Sequence, residues 1–72
     1  MLHKNITEQI GRYVVTPLPQ PSTSGQFLAA VSIRRGAYDR VIRFAPQFSN
    51  ESLASDYALT EGRNMVLNRS LN

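Results

Sequence analysis

Few side chains in this 72-residue chain could do chemistry. His3 is the only histidine, and there is no cysteine. Catalysis by a serine–histidine pair needs a base held by an orienting group. His3 lies in a polar N-terminal stretch that supplies neither, so no catalytic residue is assigned. The five acids (Glu8, Asp39, Glu51, Asp56 and Glu61) are scattered without D-x-D spacing, and no metal site is expected of them. The four glycines are isolated, with neither a GxGxxG run nor a phosphate-binding loop. No cofactor and no small-molecule substrate is therefore expected. Glu61 stands out because it falls in an apolar helix stripe between Tyr57 and Met65. An acid in such a site can have a raised pKa. One carboxylate without a base or a pocket makes no enzyme, so Glu61 reads as a residue at the helix edge or the partner of a sheet arginine. The expectation is a protein that is not an enzyme.

Arginine is what the chain does concentrate. Arg12, Arg34, Arg35, Arg40 and Arg43 lie in one stretch with a single acid, Asp39, a local net charge of +4. From Asn50 to Asn72 the balance is −1, and the whole chain carries +3 with a pI near 10.0. A guanidinium binds phosphate through two parallel hydrogen bonds, so these five are the candidate polyanion-binding residues, with nucleic acid as the candidate ligand. The competing reading is a solvated sheet face whose charges resist edge-to-edge aggregation.

The elements that must carry these residues can be read from the alternation of apolar positions. Residues 1–9 are polar without a period and are expected as a flexible arm, leaving 10–72 as one domain. Arg12–Leu18 contains Tyr13, Val14 and Val15, strong strand formers, and Pro17 closes it. PLPQPSTSG, residues 17–25, reads as a loop of polyproline character. Gln26–Arg34 alternates, with Phe27, Ala29, Val31 and Ile33 on one side. A hairpin connection around Gly36 leads to a third strand, Arg40–Ala45, which Pro46 stops. From Asn50 the pattern is helical, with Ser49 or Asn50 as the cap and Phe48 packing back on the first turns. Acids sit early in the helix and arginines late, as its dipole favours. The expected fold is α+β: a three-stranded antiparallel β-meander followed by one C-terminal α-helix packed on one face of the sheet.

Cross-strand partners share a face, which sets an expected register. Ile33 opposes Ile42 across a four-residue loop, Gly36 to Asp39, and Tyr13 and Val15 oppose Val31 and Ala29. The core is then Tyr13, Val15, Phe27, Val31, Ile33, Ile42, Phe44, Phe48, Ala54, Tyr57, Ala58 and Met65. The open face carries Arg12, Val14, Thr16, Leu28, Ala30, Ser32, Arg34, Val41 and Arg43, with Arg12, Ser32 and Arg43 in one row. Such a short chain buries only about 60% of its unfolded surface. Val14, Leu28 and Val41, with Leu59 and Val66 off the helix stripe, form a candidate interaction surface for a protein partner or for a second copy in a homodimer.

The run Gly25-x-Phe27-x-Ala29-x-Val31-x-Ile33 is followed by Arg43-Phe44, Phe48, Ala54, Tyr57-Ala58 and Glu61-Gly62-Arg63. Over residues 10–69 this pattern resembles small proteobacterial and prophage-encoded β-β-β-α proteins that carry no assigned activity. The resemblance rests on core positions; it implies the fold and no catalytic residue, and leaves a phage-assembly accessory acting through protein contacts as the expected role. The strand pattern with arginine on an open face is also similar to integrase-arm and AP2-type domains, whose sheet enters the DNA major groove. Double-stranded RNA-binding domains share the final helix but open it with a lysine cluster, where this chain has Asn50-Glu51-Ser52. No stretch approaches the ~18 apolar residues of a membrane span, and MLHKNITEQI lacks the apolar core of a signal peptide. With no cysteine, the expected location is the cytoplasm, and the glycosylation triplets at Asn5, Asn50 and Asn68 are taken as chance.

Overall fold

The computed structural model describes residues 7–68. Strand β1 spans Glu8–Ile10, β2 Tyr13–Pro17, β3 Gln20–Pro21, β4 Phe27–Arg35 and β5 Tyr38–Phe48, and helix α1 spans Glu51–Leu67. The five strands form one antiparallel sheet with the helix on one face. The class is α+β as the alternation predicts, but with five strands where three are expected. The extra two come from segments without an apolar period. Glu8 and Gln9 belong to β1, paired with β2 across a two-residue turn at Gly11–Arg12, so the arm does not extend to residue 9. Gly11 takes φ +60, a value glycine adopts freely.

The proline-rich run is not a loop throughout. Pro17 pairs with Val31, Leu18 N–H donates to the Ala30 carbonyl at 2.7 Å, Gln20 pairs with Leu28 and Pro21 with Phe27. β2 and β3 thus keep a single register along one edge of β4. Backbone N–H groups alternate in direction along a strand. Because Leu18 points its N–H at β4, the odd positions 17, 19 and 21 point away from it. All three prolines therefore sit where the missing N–H is not needed by the β4 ladder. Proline in a strand is tolerated on such an edge, which is how the run escapes the loop expectation.

On the other edge of β4, Arg35 pairs with Tyr38, Ile33 with Arg40, Val31 with Ile42 and Ala30 with Arg43. The hairpin turn is the two residues Gly36–Ala37, with Gly36 at φ +60 as primed hairpin turns require. The expected pairing of Ile33 with Ile42 is corrected by two residues, and that of Val15 with Ala29 becomes Val15 with Ile33. Pro46 does not stop β5. The ladder shifts register between Leu28 and Ala30, so that 44–46 bulge opposite Ala29 before Gln47 and Phe48 pair again.

Both corrections are even-numbered slips, so each side chain that lies in β2, β4 or β5 keeps its expected face. The helix covers Val15, Ala29, Val31 and Ile33, all buried. Its own buried line is Ala54, Ala58, Gly62 and Val66, at strict four-residue spacing. Tyr57 leans over β5, edge-on to Phe44 at 5.4 Å and tilted against Phe48 at 5.1 Å. Asn50 is the cap; its Oδ1 accepts the Leu53 N–H at 2.9 Å. Arg63, on the opposite flank, donates to Glu8 Oε1 through Nη2 at 2.8 Å, tying the helix to β1. The carboxylate raises the Arg63 pKa above its ordinary value, first by the hydrogen bond and then by its charge.

Candidate anion-binding end of the sheet

The register decides which arginines meet. Arg12 is not on the open face; it is in the β1–β2 turn. Arg43 faces Ala30, and Ser32 faces Val41, so the expected row of Arg12, Ser32 and Arg43 does not form. That row depended on strand 1 and strand 3 pairing with β4 four and two residues away from where they do. Arg34 does lie on the open face, opposite Val14 on one side and Asp39 on the other. Asp39 accepts the Ser32 hydroxyl at 2.6 Å. The acid expected in a loop is therefore set into the open face, where it subtracts from the charge of Arg34 and Arg43.

The two turns that carry Arg12 and the Arg35–Tyr38 pair are at the same end of the sheet, because Tyr13 follows one and lies alongside Arg35 next to the other. The Arg35 guanidinium carbon is 5.9 Å from the centre of the Tyr13 ring, in cation–π range. Strand alternation puts Tyr13, Ile33, Arg35, Tyr38 and Arg40 on the helix-covered face of the sheet. The ring of Tyr38 is 78% exposed there, and Arg35 and Arg40 are exposed with it. Together these five residues line an open depression of about 790 Å³ that reaches over the β5 edge to Asp39 and Val41. Four of the five candidate arginines thus gather at one end of the sheet, beside two tyrosines. Arg43 stands apart from that end, and both it and Arg34 are on the open face.

The tyrosines were missed as site residues. Tyr13 looks like a core strand residue, and Tyr38 falls inside the connection when the turn is read as four residues. A two-residue turn on Gly36-Ala37 was the signal that would have placed Tyr38 across from Arg35.

The expected interaction surface survives in part. Val14 and Leu28 are half-buried on the open face and Val41 is 44% exposed; alternation adds Leu18 to them. Leu59 packs against the core and Val66 is buried, so neither belongs to that surface. The sequence stripe ran through Met65, one residue short of the true line, because four-residue steps from Ala54 lead through Gly62 to Val66. Glu61 is half-buried on the flank over β5. No group of three His, Cys, Asp or Glu side chains converges among the described residues, and no helix among them is long and apolar enough to cross a membrane. His3 lies outside the described residues. No protein-family model, curated protein or solved structure matches the chain.

Proposed function

We propose that the protein is a binding module that holds a polyanion bearing flat rings, a single nucleic-acid strand, at the turn end of its sheet. The observation that carries this reading is the meeting of Arg35 and Arg40 with Tyr13 and Tyr38 around one open depression. Guanidinium groups take phosphates, and tyrosine rings take bases whatever their sequence; single-strand binders combine the two. A duplex reader would need its arginines in a row along the open face, and there Asp39 lies opposite Arg34 while Arg12 is in a turn. The depression is also within the ~300–1,000 Å³ range of ligand sites.

The test is fluorescence anisotropy with a labelled single-stranded oligonucleotide of mixed sequence, titrated at several salt concentrations. Binding that weakens steeply with salt is expected, as released counterions dictate. Changing Arg35 and Arg40 together to Ser should flatten that slope, and Tyr38→Ala should weaken binding without changing it. Absence of binding at low salt would overturn the proposal.

A second reading is favoured by the apolar strip of Val14, Leu28 and Val41 on the uncovered face: a protein partner docked there, through contacts indifferent to salt.

A further inference from the structure

The two edges of the sheet are treated differently. Beyond β2, the outer edge is closed by a three-residue strand and then by three prolines. Among the described residues, the edge of β5 carries neither a covering strand nor a proline from Tyr38 to Arg43, where its pairing with β4 is regular. An open edge of this length is a template for another strand. Two of its large side chains, Tyr38 and Val41, are among the most exposed hydrophobic residues described.

We propose that this edge pairs with the same edge of a second copy, antiparallel and about a two-fold axis through Val41. A two-fold perpendicular to a sheet makes residues equally spaced from the axis opposite each other. In YDRVIRF, residues 38–44, centring on Val41 sets Asp39 against Arg43 of the second copy, and Arg43 against its Asp39. Tyr38 meets Phe44 of the second copy, and Arg40 lays its alkyl stem along Ile42. Neighbouring two-fold registers lose this match. Centring on Arg40 places two guanidinium groups face to face, and centring on Ile42 sets Asp39, Arg40 and Val41 against Ala45, Phe44 and Arg43, with no opposite charges paired. The charges thus select one register, which is how charge patterns fix pairing. The open face gains a row in which Asp39 lies between its own Arg34 and Arg43 of the second copy. Both helices come to lie on the same side of a continuous sheet. The paired edge shares Tyr38, Asp39, Arg40 and Val41 with the lining of the depression, but the pairing rests on the edge and its charges, and its test needs no nucleic acid. A seven-residue strand pair buries less than a standard interface, so the association is weak and concentration-dependent.

The absence of cysteine makes the test clean. Val41→Cys puts a single thiol on the axis, where facing β-carbons are about 4.5–5.5 Å apart, wider than the ordinary span of a disulfide but within reach of a short bismaleimide. A short bismaleimide should convert this variant to a covalent dimer, while Val14→Cys, on β2, stays monomeric. Sedimentation of the unmodified protein over a rising concentration series should show mass doubling. Asp39→Arg should weaken self-association by about tenfold or more, as should Arg43→Asp alone, and the double exchange should restore it. A far-UV spectrum and melt confirm that each variant is folded, and if Asp39→Arg does not fold, Arg43→Asp carries the comparison. Failure of Val41→Cys to cross-link above the Val14→Cys control, or a dimer indifferent to both charge reversals, would overturn the proposal. So would a monomer throughout the concentration series.

Discussion

Gly62 shows how closely the helix rests on the sheet. A β-carbon there would lie 2.8 Å from Val15 Cγ1 and 2.9 Å from Val31 Cγ2. Both valines are fully buried and branched, with no room to turn aside. Alanine would recover about 1 kcal/mol of helix propensity, but lifting the helix off two core valines costs ~1–3 kcal/mol in overpacking. The strain wins, and Gly62→Ala should lower the melting temperature by several degrees, as ~1 kcal/mol does in a domain this size. A melt at or above that of the parent would show that the helix can shift freely. Phe44 gives a second measurement. It is half-buried, edge-on to Tyr57, so Phe44→Ala should cost about 2 kcal/mol, below the ~3–5 of a fully buried ring. Chemical denaturation would show the midpoint fall with the slope unchanged.

At the scale of the element, the proline run is the instructive case. Pro17, Pro19 and Pro21 let β2 and β3 keep one register with β4 while withholding donors from the outer edge. Changing Pro19 and Pro21 to Thr should leave the fold standing and restore two outward N–H groups. The expected result is concentration-dependent light scattering that the parent lacks, because an edge with its donors returned can pair with another chain. Unchanged scattering at high protein concentration would mean that the prolines serve the strand's bend and not its edge. The helix shows the opposite balance at its start, where Asn50 holds the first turn through Leu53 and Glu51 lies in that turn; the arginine expected at its other end is not found, because the last turn of Glu51–Leu67 holds no basic residue.

For the whole molecule, the sheet is joined to the helix by apolar burial and by one described ion pair between distant parts of the chain, Arg63 with Glu8. Both side chains are a little over a third exposed, and pairs in that setting contribute at most about 1 kcal/mol. Glu8→Gln and Arg63→Gln should each move the thermal midpoint by a few degrees at most, and the double variant should differ little from either single one. A large loss on either change would show that β1 depends on this contact for its place. Stability should also be insensitive to chelator and reductant, since the chain has no cysteine and its core is built from side-chain packing; far-UV ellipticity in their presence is the check.

Alternation by itself settled which face the residues of β2, β4 and 40–44 of β5 take. Phe27, Ala29, Val31 and Ile33 go inward in any register that buries them, and slips of two or four residues leave that unchanged. The helix and its cap were equally legible, since Asn50, Glu51 and the apolar spacing are local signals that no distant contact has to supply. Register was not legible in this way. It depends on the length of a turn, and Gly36-Ala37 closes in two residues where a four-residue loop satisfied the same hydrophobic match. Register in turn decided the site. It moved Arg12 into a turn, placed Asp39 beside Arg34, and brought Tyr38 across from Arg35. β1 and β3 were also beyond local reading, because Glu8–Ile10 and Gln20–Pro21 have no apolar period of their own. They are strands because neighbouring backbone supplies their hydrogen bonds, and that neighbour exists only once the chain has folded.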